Sequence, residues 1–225
     1  MSRAGMWRSP AAGALALALA GLGCRTGSPA PQPVASANAD WAKRDVWQRP
    51  GEVMDALGIR PGSVVADVGA GEGYFTFHLA ARVGPNGKVY AEDIQDSQLD
   101  HIRERAKKER IAQIEVVLGT ASDPKLPAGA LDAILVVRTY HEMEDHDAML
   151  GGMVRALKPG GRLGIIEPEG EPNRPRSSYA NEHSMSKALV LQDAADHKLR
   201  FVREPPRFEA PDRHEFFVIF EKPSH

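Results

Sequence analysis

The sequence predicts an α/β fold built on a mostly parallel sheet. Three observations carry that reading. Residues 64–68 (V-V-A-D-V) and 131–137 (L-D-A-I-L-V-V) are apolar runs of strand length with little polar alternation, as central parallel strands buried on both faces require. Stretches that read as helices, at residues 75–83, 97–110 and 146–157, separate these runs from further ones. Glycine and proline sit at the corners, in A-G-E-G-Y, P-N-G and K-P-G-G.

Taken in order, residues 44–57 carry Val46, Trp47, Val53, Met54 and Leu57 at helical spacing with Pro50 between them, so two short helices are expected. The first strand at 64–68 then runs into a glycine turn and the helix 75–83. Pro85-Asn86-Gly87 turns the chain into a second strand over 88–94, followed by the helix 97–110 and a strand ending near Gly119. The strand 131–137 precedes the helix 146–157, whose Met149, Leu150, Met153, Val154 and Leu157 share one face and read as core. A P-G-G turn and another strand complete residues 157–166. The last third reads as a polar loop at 169–178, a helix at 183–197, and two strands at 199–203 and 215–221 joined through Pro205-Pro206.

The most informative segment is V-V-A-D-V-G-A-G-E-G-Y-F, residues 64–75, where Asp67 is followed by Gly69, Gly71 and Gly73. Alternating glycines at a strand end suit a backbone that passes close to a ligand with positive φ. A dinucleotide fingerprint requires G-x-G-x-x-G. Here the third glycine comes one residue early and Tyr74 fills the last slot, which disfavours pyrophosphate and a nucleotide-binding oxidoreductase.

With its D-x-G-x-G-x-G spacing the chain resembles the class I S-adenosylmethionine-dependent methyltransferases. The later segments follow in that family's order: the second strand K-V-Y-A-E-D-I ending at Asp93 and Ile94, the third apolar run 131–137, and L-K-P-G-G-R-L-G-I-I at 157–166. Together the matches cover roughly residues 48–168. The resemblance implies a Rossmann-like three-layer sandwich with a mostly parallel seven-stranded sheet and an antiparallel C-terminal edge hairpin. It also implies S-adenosylmethionine as cofactor, with Asp67, Gly69, Gly71 and Gly73 forming the turn, Asp93 holding the ribose and Ile94 packing on the adenine. Where the family often places an acid to meet the adenine amine this chain has Thr120, and Asp123 is the expected substitute, with turn formation before Pro124 as its ordinary role. Arg138, just past the strand 131–137, joins the expected cofactor-binding set.

Methyl transfer asks for alignment, exclusion of water and, for some acceptors, removal of a proton. The candidate base is His141, in R-T-Y-H-E just beyond the third apolar run, where ligands of open α/β folds sit. Its ordinary role would be a hydrogen bond to loop backbone. Residues 141–146 gather two histidines and three acids but lack H-E-x-x-H spacing, so they read as a solvated loop and no metal is expected. V-R-T-Y at 137–140 replaces the Asn or Asp followed by P-P-Y of amide and base methyltransferases, which points to a small-molecule acceptor. Trp41, Trp47 and Arg49 are candidate lid residues, by resemblance.

The N-terminus carries a different message. Arg3 and Arg8 precede an Ala/Leu-rich run at 11–22, too short to span a bilayer and fitting a signal peptide, and Cys24 follows at once. A single cysteine rules out a disulfide framework within one chain and a cysteine-rich zinc site. Cys24 instead resembles the lipidated cysteine of a bacterial lipoprotein, although Gly21 and Leu22 depart from the usual residues before it. The expected organisation is a signal peptide at 1–23, the lipidated cysteine and a Pro/Ala/Ser/Gly-rich tether at 24–39, and one domain at 40–225, tethered to a membrane outside the cytoplasm. The net charge of −2 becomes −4 without Arg3 and Arg8, and no basic stripe suggests nucleic acid. Since S-adenosylmethionine is made inside the cell, two functions stay open: an active small-molecule methyltransferase, or an exported non-catalytic binding protein of the same fold.

Overall fold

The structure is a computed structural model in which residues 39–206, 208–210 and 213–224 are described. The expected signal peptide, Cys24 and almost all of the tether lie outside the described residues. No helix among the described residues is long and apolar enough to cross a membrane.

Two short helices lead the domain, α1 (Ala39–Gln48) and α2 (Pro50–Leu57), with Arg49 left-handed between them and Pro50 in the first turn of α2, where its missing N–H costs nothing. The sheet follows: β1 (Val64–Val68), α3 (Tyr74–Val83), β2 (Lys88–Asp93), α4 (Asp96–Glu109), β3 (Ile114–Leu118), β4 (Leu131–Val137), α5 (His146–Ala156) and β5 (Leu157–Pro168). The C-terminal part adds α6 (Arg176–Glu182), α7 (Lys187–Asp196), β6 (Arg200–Arg203), β7 (Phe208–Ala210) and β8 (Arg213–Glu221).

The strands lie in the order β3-β2-β1-β4-β5-β8-β6, and the short β7 pairs with the start of β8. Pairing is parallel from β3 to β5, while β8 runs antiparallel to both β5 and β6. The expected three-layer architecture is therefore present, with an eighth strand, β7, added to the seven. The expected terminal hairpin is present too, but its second strand is inserted between β5 and β6. That position explains why F-F-V-I-F is apolar on both faces: Phe216, Phe217, Val218, Ile219 and Phe220 are all buried.

Period-two alternation divides the central strands between two cores. Ile134 and Val136 of β4 point into the layer of α5 and α7, with Met149, Met153 and Val190. Ala133, Leu135 and Val137 point into the opposite layer, with Val53 and Leu57 of α2 and Leu79 of α3.

The helix expected over 183–197 is a correction. Residues 176–182 form α6, which begins at the end of the expected polar loop and runs past it, His183 ends it in a left-handed conformation, and α7 begins only at Lys187. Met185 interrupts the helix because its side chain is fully buried, its amide donates to the Pro168 carbonyl at 2.9 Å and its carbonyl accepts from Gly170 at 2.9 Å. Tertiary pairing with the end of β5 outweighs local helix preference there.

Candidate active site

The chain runs outward from β1 through β2 to β3 and then returns to β4 on the other side of β1. The crevice at the carboxyl ends of β1 and β4 is thus the topological switch point, where ligands of open α/β sheets bind. Two clefts meet there across the glycine turn, both lined by Gly69 and Gly71.

The turn is a built cradle. Gly69 has φ +71°, and a Cβ on it would lie 2.2 Å from Thr139 Cγ2, so the approach of β1's end to the loop after β4 requires glycine. Gly71 also has positive φ, but a Cβ there would meet nothing within 4 Å: its face is open to the cleft. Gly73 caps α3.

The larger cleft, about 320 Å³, is lined by Glu92, Asp93, Ile94, Thr120, Thr139 and Glu142 among others. Asp93 braces the turn, with Oδ2 accepting from the Gly71 amide and Oδ1 from the Gln95 amide, both at 2.9 Å. Glu92 is 1% exposed and its Oε1 has no hydrogen-bond partner. Burial, reinforced by the nearby Asp93 charge, pushes its carboxyl up to about 8. Ile94 is 56% exposed at the rim, an apolar surface open to a planar ligand.

The smaller cleft, about 310 Å³, holds Trp41, Arg44, Asp67, Tyr74 and Arg138. Asp67 is 3% exposed and accepts from Thr76 Oγ1 at 2.6 Å. Burial raises its carboxyl to about 6, against the lowering effect of the Thr76 bond and of Arg44. Arg44 lies 3.9 Å over the Tyr74 ring. The helix that carries it, α1, is fastened to α3 through Asp45, which accepts from Tyr74 Oη at 2.7 Å and lies 3.0 Å from His78 Nε2. Arg138, with φ +54°, pairs with the fully buried Glu215 and stacks 5.3 Å from the Trp47 ring.

Of the expected site residues, Asp67, Gly69, Gly71, Asp93, Ile94 and Arg138 line the two clefts, as does the lid candidate Trp41. Trp47 lines neither cleft but contacts Arg138 through its ring, and Arg49 faces Glu52 at 3.3 Å instead of the clefts. Asp123 lines neither cleft; its carboxylate accepts from the Lys125 amide at 2.9 Å and shapes its own turn.

His141 also lines neither cleft. It sits on the 3₁₀ turn Tyr140–Glu142, 4% exposed, with Nδ1 2.7 Å from Glu167 Oε2. The other Glu167 oxygen accepts from the Tyr140 amide at 2.6 Å, so a carboxylate at the end of β5 holds both turn and ring. His141 Nε2 is enclosed without a hydrogen-bond partner, 3.6 Å from Glu142 Oε1. Tyr140 is core: its hydroxyl donates to Asp193, which Arg176 clamps through two hydrogen bonds of 2.9 and 2.6 Å.

Sequence reasoning missed Glu92, Arg44 and Glu167. Signals existed for two of them, an acid doublet at the end of β2 and a lone acid ending the apolar strand G-I-I-E-P. For Arg44 there was none, since α1 reaches the cleft only through tertiary contacts.

Residues 65–161 match the methyltransferase domain family. The chain is 33% identical over 175 residues to a ubiquinone/menaquinone biosynthesis C-methyltransferase of Cronobacter sakazakii, covering 75% of this chain and 67% of that one. It is 32% identical over 121 residues to the nocamycin O-methyltransferase of Saccharothrix syringae, covering 54% of this chain but only 43% of the relative's length. Among solved structures, a SAM-dependent methyltransferase from Aquifex aeolicus superposes with a TM-score of 0.66 at 27% identity, covering 81% of this chain and 96% of that one.

Proposed function

The chain belongs to the S-adenosylmethionine-dependent methyltransferases, with S-adenosylmethionine as cofactor, and from that premise we propose that it moves a methyl group to a small-molecule acceptor by in-line displacement. The observation that carries the reading is the pair of clefts joined across one glycine turn, apolar and acid-lined on one side, charged on the other. A cofactor with a nucleoside at one end and an amino acid at the other matches that division. Glu92 Oε1, buried without a partner in the first cleft, fits a hydroxyl or amine donor. We assign Asp93 and Glu92 to the ribose side, Ile94 to the adenine face, and Arg44, Asp67 and Arg138 to the amino-acid end.

When bound, the cofactor supplies a sulfonium-activated methyl group. The residues of this chain then have three tasks. The glycine turn admits the ligand against bare backbone, α1 with Trp41 covers the charged end and excludes water, and the β4 loop presents the acceptor. We propose His141 for the acceptor's proton: Nδ1 held against the Glu167 carboxylate carries the ring proton, which leaves Nε2 as a lone pair. Glu142, which lines the larger cleft, lies 3.6 Å from that nitrogen. Asp123, bound into its own turn, is a weaker candidate for the adenine amine than the backbone around Thr120 and Ala121.

The test is transfer of a radiolabelled methyl group from S-adenosylmethionine to small-molecule extracts, followed by identification of the labelled product. Labelled product from the wild type and at least tenfold less from His141→Ala supports the reading. Cofactor binding without any labelled product would favour the non-catalytic binding protein.

We also propose export and tethering through Cys24, on the basic, apolar and cysteine sequence of residues 3–24. Radiolabelled palmitate should enter the wild type and not Cys24→Ser; equal labelling of both would refute it.

A further inference from the structure

We propose that His141, Glu142 and His183 form a binding site for a divalent cation of the zinc class, beside the larger cleft that Glu142 lines. Their ligand atoms all lie within 4.8 Å of one another. Glu142 Oε1 stands between two imidazoles, 3.6 Å from His141 Nε2 and 4.0 Å from His183 Nδ1, and the two rings meet edge to face at 5.7 Å. Tetrahedral zinc with bonds of about 2.0–2.2 Å holds its ligands about 3.3–3.6 Å apart, so only small side-chain rotations separate the cluster from coordination geometry.

Proximity alone would not distinguish this cluster from a solvated acid beside a surface histidine. His141 supplies the independent observation. Its Nε2 is enclosed, lacks a hydrogen-bond partner and is aimed at the other two ligand atoms, and such a buried polar atom calls for an occupant. The opposite ring nitrogen contacts the fully buried Glu167, whose second oxygen is fixed by the Tyr140 amide. A carboxylate orienting the far nitrogen of a histidine is the arrangement that fixes the tautomer and raises basicity in metal-ligating imidazoles.

The donor set indicates the ion. Two imidazoles and one carboxylate suit zinc and neighbouring d-block cations better than magnesium or calcium, which prefer oxygen. Three protein ligands leave at least one open position, as in sites that act on substrate. The consequence for acceptor chemistry rests on the methyltransferase reading: Glu142 lines the cleft, so the open position would take an acceptor oxygen, and with its Nε2 lone pair committed to the ion His141 would favour loss of the acceptor's proton through the ion and not as a free base. The existence of the site does not rest on that reading, and the test needs no cofactor.

The full chain, freed of metal by chelator and dialysis, is titrated with cobalt(II) and followed by its visible d–d absorption, then challenged with zinc(II). The expected result is one saturable equivalent of cobalt with a four- or five-coordinate spectrum, displaced by zinc. Both Glu142 and His183 are exposed, so Glu142→Gln and His183→Ala should fold and weaken this equivalent at least tenfold, whereas His101→Ala, on the exposed side of α4, should leave it unchanged. Absence of a saturable equivalent, or one indifferent to both Glu142→Gln and His183→Ala, overturns the proposal. Loss of methyl transfer with cobalt binding intact would count only against the methyltransferase reading.

Discussion

Two consecutive acids at the end of β2 have different surroundings because they leave the strand on opposite sides. Asp93 spends both oxygens on the amides of Gly71 and Gln95, while Glu92 is buried with one oxygen unpartnered. If Asp93 also accepts from the ribose, Asp93→Ala should lower S-adenosylmethionine affinity by about 10- to 100-fold, the weight of a charge-assisted hydrogen bond plus the lost brace. Calorimetry with an unchanged affinity would refute the ribose role. Asp67 makes a separate prediction about pH. Its carboxyl is raised from the ordinary 3.8 to about 6, chiefly by burial, so the folded protein holds this proton where the unfolded chain has released it. The contribution to stability is therefore complete below pH 4 and is lost as pH rises through 6. Asp67→Asn, whose side-chain oxygen can still accept from Thr76, should be more stable than the wild type at pH 8 by about 2–3 kcal/mol and lose that part of the pH dependence. Denaturant melts that keep the same slope between pH 4 and 7 would contradict it.

At the level of elements, helix ends and strand ends set the site. Helix α5 begins at Asp145, whose side chain accepts from the Ala148 amide at 3.0 Å. Asp145→Ala should cost about 1 kcal/mol of unfolding free energy, read from the denaturant midpoint, because it leaves an amide of the first turn unsatisfied. A midpoint unchanged within error would show that solvent replaces the cap. The same scale explains what was legible in the sequence. Strands β1 and β4, the glycine turn and the acid at the end of β2 could be read directly, since each is a local pattern of apolar runs, glycines and spacing. The split of α6 from α7 could not, because it depends on Met185 pairing with the end of β5. Nor could the place of Arg44, which depends on Asp45 fastening α1 to Tyr74 and His78. The sequence places His183 at the start of a helix, whereas it ends one, the position that brings it to His141.

At the level of the molecule, one topological event creates the clefts: the chain leaves β1 in one direction and returns to β4 in the other. Helices on both faces bury β1 and β4, so their ends are held by two cores at once. Between them Gly69 fits against Thr139 without a side chain, and the face of Gly71 stays open to the cleft. The insertion of β8 between β5 and β6 closes the far half of the sheet and places Glu215 beneath Arg138. We propose that this switch point holds S-adenosylmethionine, and calorimetric titration of the full chain decides it. Saturable micromolar binding of S-adenosylmethionine and S-adenosylhomocysteine, with no heat from NAD, is the predicted result. A folded sample that binds neither, or that binds NAD in their place, would contradict it.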